Sequence, residues 1–353
     1  MKEHLNVVGL MSGTSLDGVD LAMCRIGGLE CRVLKAATIP YSDFWLQRLS
    51  DVEHASAFEY VKTHVELGHH FGRLIKGFLS DSGIVADAVA SHGHTVFHQP
   101  GIGVTAQIGD GNAIAAETGL PVVCDFRSLD VALGGQGAPL VPIGDELLFG
   151  QHDACLNLGG IANVSFRENG RRVAYDICPC NMALNYLSRQ LGMPYDRDGL
   201  HSRAGRVEAP LLASLGELHY YSADYPKSLG KEWFVKSFLP LLVQSSSSVE
   251  DKLATCVEHI VDQVAASVRM CGAGDVLVTG GGAHNAYLIE RLRAVLPSVR
   301  VVVPEDTVVD YKEAMIFAYL GYLRLTGKTN TLSSVTGARA DSCGGVLCGG
   351  FKQ

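Results

Sequence analysis

Three glycine-rich turns, each directly after an apolar run, constrain this chain more than any other feature. They span residues 12–18, 159–163 and 280–282, and they hold part of an excess of glycine, 40 of 353 residues. Residues without a Cβ let backbone N–H groups approach a polyphosphate closely, and neighbouring hydroxyls add donors. One such turn alone is explained as an ordinary tight turn. Three at the ends of predicted strands favour a nucleotide-binding protein.

The elements around these turns predict an α/β fold. Apolar runs at 6–11 and 21–26 flank the first turn as a hairpin, and residues 154–166 repeat that design. Helical spacing of apolar residues predicts a helix at 58–79 and another that starts at a capping box, Ser247 to Glu250, and ends near Met270. Strands that alternate with helices in both halves indicate two related domains with a cleft between them.

The glycine-containing break at 133–139 suggests where these domains divide. We expect an N-terminal domain, 1–130, with the first phosphate hairpin. A C-terminal domain, 131–353, is expected to hold the second hairpin, with its last residues allowed to return to the first domain.

Composition and charge exclude several classes of protein. Apolar residues make up 47% of the chain, which is too many for a disordered protein, and a net charge of −8 without a cationic cluster argues against nucleic-acid binding. No stretch of about 18 apolar residues is present for a membrane span. We expect no signal peptide, a cytoplasmic location and ten reduced cysteines.

Two large nucleotide-binding classes are also excluded. No Gly-x4-Gly-Lys-Ser/Thr loop occurs, and Gly109-Asp-Gly111 lacks the third glycine of a dinucleotide fingerprint. The phosphates are therefore expected between hairpins. Asp17 and Asp20 flank the end of the first turn, where they suit Mg²⁺ held together with its waters.

A series of motifs runs in order along essentially the whole chain. It comprises GLMSGTSLDGVD at 9–20, HGHTVFH at 92–98, QIGDGN at 107–112, DFRSLD at 125–130, GGQGAPL at 134–140, LNLGGIAN at 156–163, TGGGAHN at 279–285, KEAMIFA at 312–318 and TGA at 336–338. The series resembles the anhydro-N-acetylmuramic acid kinases, and its first motif is highly specific. The resemblance implies two actin-like ATPase (ribonuclease H-like) domains, a homodimer, and the use of ATP with Mg²⁺.

The resemblance also implies the residues of each site. The ATP phosphates and adenosine are assigned to Ser12, Gly13, Thr14, Ser15, Leu16, Asp17, Gly18, Val19, Asp20, Gly159, Gly160, Asn163, Gly280, Gly281 and Gly282. The sugar is assigned to Arg127, Asp176, Asn181 and Glu313.

The implied reaction opens the 1,6-anhydro ring of the sugar with water while O6 is phosphorylated. It calls for a carboxylate that takes a proton from water, and Asp176 occupies the family's position for that base. The family's Asp-Thr-Gly-Pro-Gly-Asn segment reads Asp-Ile-Cys-Pro-Cys-Asn here, so residues 177, 178 and 180 depart from it. The departure removes two freely rotating backbone positions beside the base.

Other interpretations of these residues stay open from sequence alone. Asp176 also fits a strand-end aspartate that caps a turn, and Glu313 fits a first-turn glutamate at a helix dipole. Arg127 also fits an ion pair with Asp125 or Asp130.

The Thr-Val-Phe stretch at 95–97 is typical of a strand rather than of a zinc-binding helix, and no nearby Cys or Glu completes a zinc site. The three histidines at 92, 94 and 98 are therefore interpreted as a polar turn beside the cleft.

Two alternatives to a kinase for 1,6-anhydro-N-acetylmuramic acid follow. The departures at 177, 178 and 180 motivate a nucleotide-gated sugar-binding or regulatory protein with little turnover. A kinase of another intracellular sugar is the third hypothesis. In every case the partners are a small sugar and ATP, with no nucleic acid and no membrane.

Overall fold

The protein is described by a computed structural model that covers residues 3–13, 16, 18–80 and 83–349. Its strands are β1 Leu5–Ser12, β2 Val19–Gly27, β3 Glu30–Ile39, β4 Ala88–Gln99, β5 Val104–Ile108, β6 Val122–Cys124, β7 Ala154–Leu158, β8 Ile161–Glu168, β9 Arg171–Pro179, β10 Asp275–Thr279, β11 Arg300–Val302 and β12 Val346–Cys348.

Helices lie in the connections between strands that no hairpin turn joins. They are α1 Asp43–Asp51, α2 Ala57–Ser80, α3 Gly111–Thr118, α4 Ser128–Ala132, α5 Pro142–Leu148, α6 Asn181–Gln190, α7 Leu200–Ala204, α8 Ala209–Gly216, α9 Lys231–Trp233, α10 Leu239–Gln244, α11 Val249–Met270, α12 Ala286–Val295, α13 Asp306–Leu325 and α14 Ser333–Thr336. A π-helical turn, Phe234–Phe238, joins α9 to α10. Short 3-10 helices lie at Val52–His54, Pro100–Ile102, Arg197–Gly199, His219–Ser222 and Gly281–His284.

The chain forms two compact units. Unit 1 comprises residues 1–148 and 311–353, and unit 2 comprises residues 149–310. The predicted boundary between residues 130 and 131 therefore falls inside unit 1. The C-terminal segment belongs to unit 1 because β12 pairs with β6 in that unit's sheet.

Each unit is built on its own sheet, and the two sheets share an order of five strands, to which unit 1 adds β5 and β12. Among the described residues, the unit 1 sheet runs β12-β6-β4-β1-β2-β3, with β5 paired to β4, and the unit 2 sheet runs β11-β10-β7-β8-β9. In both, an antiparallel three-strand meander is extended by parallel strands, β4 and β6 in one unit and β10 and β11 in the other. The shared order confirms the predicted α/β class with two related domains.

Apolar periodicity explains the two longest helices that pack on these sheets. The buried face of α2 includes Leu67, Phe71 and Ile75, and it covers the unit 1 sheet. In unit 2, the predicted apolar face of α11 is buried against the sheet. The predicted cap is displaced by one residue, because Ser248 rather than Ser247 accepts the hydrogen bond, from the Asp251 N–H.

The described residues include no helix that is both long and apolar enough to cross a membrane. The ten cysteines, all within the described part of the chain, are free thiols, as predicted.

Candidate functional site

The first glycine-rich turn joins β1 to β2 in unit 1. Ser12 and Val19 pair at the mouth of the hairpin, and the Leu16 N–H donates to the Gly13 carbonyl at 3.3 Å. Leu16 has a φ of +60°, a conformation that non-glycine residues adopt mainly in tight turns. A Cβ on Gly18 would lie 2.7 Å from the Ile39 carbonyl oxygen, so glycine is required for packing against β3.

Two buried side chains hold Ser12 at the start of this turn. Its buried hydroxyl lies 2.7 Å from the Tyr41 hydroxyl and 3.1 Å from His94 Nδ1. Burial lowers the pKa of His94 to about 4, so this histidine is neutral. The predicted ATP residues Thr14, Ser15 and Asp17 lie outside the described residues.

The described part of the proposed magnesium site is one carboxylate. Asp20 Oδ1 accepts a hydrogen bond from Thr38 Oγ1 at 2.6 Å. Across the described residues, no group of three or more His, Cys, Asp or Glu side chains is arranged to hold a metal ion. One carboxylate is compatible with Mg²⁺, which usually keeps several waters and binds substrate phosphates.

Arg127 precedes α4 and is held by two acceptors. Its Nε and Nη2 lie 3.1 Å and 2.9 Å from His92 Nε2, and its Nη1 donates to the Gly137 carbonyl at 2.6 Å. Burial lowers the pKa of Arg127 to about 10, and the nearby Glu313 carboxylate opposes that shift. The alternative ion pairs are absent among the described residues, because Asp125 caps Ser128 and Asp130 binds Gly137 and Thr336.

Glu313 lies in unit 1 as well, on α13. The helix starts at Asp306, and Tyr311 departs from helical geometry (φ −116°, ψ 15°), so Glu313 follows a distortion rather than the helix start. Its side chain is exposed to solvent although protein atoms surround it densely. That partial desolvation and the charge of Asp20 raise its pKa, while Arg127 and Lys312 lower it.

The three histidines predicted as a polar turn lie instead within β4, so that interpretation is wrong. His92 and His94 are buried, and β4 continues to Gln99 as it pairs with β5. The Thr-Val-Phe stretch between His94 and His98 favours extended structure, which prolongs the strand.

A row of polar side chains crosses the unit 2 sheet. Asn157 on β7 pairs with Asn163 on β8, which pairs in turn with Asp176 on β9. Directly paired residues share one face of a sheet, so the three side chains are neighbours, and all three are half-buried. Asn163 and Asp176 are among the site residues predicted from the sequence, whereas Asn157 is not.

Asp176 is the end of this row. Its Oδ2 accepts the Leu229 N–H at 2.8 Å, and its carbonyl accepts the Tyr220 hydroxyl at 2.6 Å. Burial raises the pKa of the Asp176 carboxyl, and the Leu229 hydrogen bond lowers it in part. Oδ1 accepts no hydrogen bond from the described residues. A carboxylate with a raised pKa and a free oxygen is suited to accept a proton.

The departure from the family segment lies in the core of unit 2. Ile177 is the extra residue of a β-bulge, since Asn163 pairs with Asp176 and Ala162 pairs with Cys178. Ile177, Cys178 and Cys180 are all buried in the apolar core of unit 2. None of the three has a positive φ, so this chain does not need glycine there.

The glycines of the two remaining turns divide into two groups. A Cβ on Gly280, whose φ is +82°, would collide with Asn157 Oδ1, and one on Gly282 would lie 2.7 Å from Leu158 Cβ. Those two glycines permit close packing.

The other group leaves open space. The nearest atoms to a Cβ on Gly159, Gly160 or Gly281 lie at 3.4, 4.0 and 3.7 Å. Within the described part of unit 2, the N–H groups of Gly159 and Gly160 donate no backbone hydrogen bond. Free donors beside open space suit an anionic ligand such as a polyphosphate.

Asn181 fixes the β7–β8 turn. Its backbone N–H donates to the Gly159 carbonyl at 3.1 Å, and its side-chain amide donates to the Leu158 carbonyl at 2.9 Å. Its Nδ2 also lies near Gly281. Asn181 therefore has a structural role in the turn, besides the sugar contact that the sequence predicts.

Residues 5–349 match the family described as anhydro-N-acetylmuramic acid kinase. The chain belongs to this family. A relative with that name from Vibrio cholerae serotype O1 is 39% identical over 367 residues, which cover 98% of this chain and 99% of the relative. Another with the same name from Sulfurovum sp. is 36% identical, with 96% and 98% covered.

Solved structures resemble the chain more distantly. The activator of 2-hydroxyisocaproyl-CoA dehydratase from Clostridium difficile, solved with bound ADPNP, is 12% identical with a TM-score of 0.47, and the match covers 92% of this chain and 98% of the activator.

Proposed function

We propose that this chain is an ATP-dependent kinase that opens the 1,6-anhydro ring of 1,6-anhydro-N-acetylmuramic acid and phosphorylates O6. The product is N-acetylmuramic acid 6-phosphate, an intermediate of cell-wall sugar recycling. The observation that carries the proposal is the Asp176 carboxylate, which occupies the family's position for the base and has a raised pKa and a free Oδ1.

Asp176 acts as the general base in this proposal. Oδ1 takes a proton from a water molecule as that water attacks C1 of the sugar, and the C1–O6 bond breaks. O6 then attacks the γ-phosphoryl group of ATP, and ADP leaves. The Leu229 N–H holds Oδ2, which leaves the other oxygen for the water.

ATP is assigned to the glycine turns. Gly159, Gly160 and Gly281 offer open space and backbone donors to the nucleotide, with Asn163 beside them. Gly280 and Gly282 shape the turn by packing. On unit 1, Ser12, Gly13, Leu16, Gly18, Val19 and Asp20 would form the other phosphate loop, together with the undescribed Thr14, Ser15 and Asp17.

Mg²⁺ would be held by Asp20 and Asp17, through water and the phosphates. When it is bound, it neutralises negative charge on the transferred phosphoryl group. The sugar is assigned to Arg127, Asp176, Asn181 and Glu313. A homodimer in the cytoplasm is part of the same proposal.

A binding protein without turnover is not favoured. Its motive was the departure at residues 177, 178 and 180, and the apolar core of unit 2 accommodates those three side chains. No observation favours a kinase of a different sugar.

A panel of sugars with ADP detection tests the proposal. The panel contains the anhydro sugar, N-acetylmuramic acid, N-acetylglucosamine and glucose, each with MgATP. We expect ADP release with the anhydro sugar alone, and a product mass that corresponds to the added phosphate and water. ADP release with another sugar only, or with none, contradicts the proposal.

A further inference from the structure

All three guanidinium nitrogens of Arg127 have hydrogen-bond acceptors within the protein. An arginine side chain loses much rotamer freedom when it is held in one orientation, so its geometry depends on fixed acceptors. Here His92 Nε2 accepts from Nε and Nη2, and the Gly137 carbonyl accepts from Nη1. These contacts engage three of the five guanidinium N–H groups and leave one on Nη1 and one on Nη2.

His92 is itself fixed in one tautomer. Because Nε2 faces two arginine donors, it must be unprotonated, and Nδ1 then carries the proton that is donated to the Gly93 carbonyl at 2.9 Å. The ring is buried, and its centroid lies 4.7 Å from that of Phe317. Gly93 has a φ of +74°, and a Cβ there would lie 2.7 Å from the Ile108 carbonyl oxygen. The acceptor therefore depends on the local glycine as well.

The second acceptor is fixed by a chain of hydrogen bonds. The Gly137 N–H donates to Asp130 Oδ2 at 2.7 Å, and the Thr336 hydroxyl donates to Asp130 Oδ1 at 2.7 Å. Asp130 and Thr336 are both buried, so losing either partner leaves a buried polar group unpaired. Gly137 adopts a φ of +65°, which sets the direction of its carbonyl.

We propose that His92, Asp130 and Thr336 are positioning residues that hold the Arg127 guanidinium in one orientation, with its two remaining N–H groups free for oxygen atoms of the substrate. This inference rests on the proposed role of Arg127 in sugar binding. It assigns a task to Asp130 and to residues of the motifs at 92–98, 134–140 and 336–338, none of which has another role in the proposed reaction.

Paired variants at His92 test the first support. His92→Phe keeps an aromatic ring against Phe317 but has no acceptor, whereas His92→Gln can place an amide oxygen near the position of Nε2. We expect the KM for the anhydro sugar to rise about tenfold or more in His92→Phe, which corresponds to about 1.4 kcal/mol. In His92→Gln the KM should recover to within about threefold of wild type. The KM for ATP should stay within about twofold in both.

Variants at Thr336 test the second support independently. Thr336→Val keeps the shape but removes the hydroxyl from Asp130, and Thr336→Ser keeps it. We expect the sugar KM to rise in the valine variant and to recover in the serine variant. Equal increases in the sugar and ATP KM values, or no increase in either His92→Phe or Thr336→Val, would overturn the inference.

A spectroscopic measurement separates this inference from the proposed reaction. The Nε–H resonance of Arg127 is identified in ¹⁵N spectra by its loss in Arg127→Lys. It should be protected from exchange in wild type and in His92→Gln, and it should broaden in His92→Phe. An unchanged resonance in His92→Phe contradicts the inference. If wild type turns over no anhydro sugar, the proposed function fails, and this resonance still decides whether His92 positions Arg127.

Discussion

At the scale of single residues, the environment of Asp176 explains why this carboxylate is the proposed base. Burial raises its pKa and leaves Oδ1 without a partner among the described residues, while Leu229 fixes the other oxygen. Among the described residues, no lysine, arginine or histidine side chain forms a hydrogen bond or ion pair with the Asp176 carboxylate that would lower its pKa by charge. The carboxylate is therefore a better proton acceptor than an ordinary surface aspartate.

Replacing this base should abolish turnover without unfolding the protein. Asp176→Asn keeps an oxygen for the Leu229 N–H but cannot take a proton, so we expect kcat to fall about 10² to 10⁴-fold. The Kd for ATP, measured by calorimetry, should not change. Asp224→Asn, at an exposed aspartate on the nearby loop, is the matched control and should keep wild-type kcat. A similar loss in both variants would argue against a specific role for Asp176.

The raised pKa of Asp176 predicts the acidic limb of the pH profile. The base works only when ionised, so kcat/KM should fall as the pH decreases through its pKa. Since burial raises that pKa, the fall should begin at a higher pH than the ordinary aspartate value of about 3.9 implies. The measurement is kcat/KM for the sugar against pH, with unfolding followed in parallel. A flat profile down to about pH 4 contradicts this assignment.

Some of these residues are predictable from the sequence and others are not. Asp176 is predictable because the Asp, Pro and Asn of its segment match the pattern of the family. The support of Arg127 by His92 is not predictable, because it joins β4 to the start of α4 across 35 residues and depends on one tautomer. Nearby charges at Asp125 and Asp130 suggest an ion pair instead, and backbone geometry directs both of them elsewhere.

At the scale of elements, the end of β9 shows why a cysteine is tolerated at residue 178. Cys178 packs in the apolar core of unit 2, and its backbone is ordinary extended strand. Burial also raises the pKa of its thiol, which keeps the side chain neutral.

Restoring the family's glycine in β9 should therefore destabilise this chain. We expect Cys178→Gly to lower the free energy of unfolding by about 2–3 kcal/mol, from the lost apolar contacts and the added backbone freedom. Cys31→Gly, on the edge strand β3 and only half-buried, measures the backbone cost by itself and should lose about 1 kcal/mol. Urea unfolding compares the two. Equal losses would show that the burial of Cys178 contributes nothing.

The β7–β8 turn gives a second test at this scale. Gly160→Ala places a methyl group in open space, so we expect normal stability but an ATP KM raised about tenfold, since the methyl would occupy space assigned to the nucleotide. Gly280→Ala, at a φ of +82° and against Asn157, should instead lose about 2 kcal/mol or more of stability.

Gly216→Ala is the control for this pair, because a Cβ on Gly216 meets nothing within 4 Å. Thermal unfolding and ATP kinetics separate the two effects. If Gly160→Ala binds ATP as tightly as Gly216→Ala does, the turn is not a nucleotide site.

Elements with a clear apolar period are those that the sequence predicts best. Helix α2 and the hairpins β1–β2 and β7–β8 are confirmed, because local alternation and glycine turns determine them. The start of α13 and the length of β4 are not predicted well, because polar residues within them resemble turn signals. Tertiary pairing, such as β4 with β5, overrides those local preferences.

At the scale of the whole molecule, two units that share an order of five strands account for the repeated hairpin design in the sequence. The predicted division assigns residues 131–148 to the second domain, whereas they belong to unit 1. The prediction allowed the last residues to return to the first domain, and residues 311–353 belong to unit 1, where β12 pairs with β6 more than 200 residues away in the chain. Local periodicity carries no information about such pairing.

The central claim is that Asp176 directs water to C1 while ATP phosphorylates O6 of the same sugar. The most direct test is a rapid-quench reaction of the protein with the anhydro sugar and MgATP in ¹⁸O-labelled water. We expect N-acetylmuramic acid 6-phosphate with one ¹⁸O at C1 and none in the phosphate, formed one-to-one with ADP. This product should be absent with Asp176→Asn. Release of ADP with labelled inorganic phosphate and unopened sugar would contradict it.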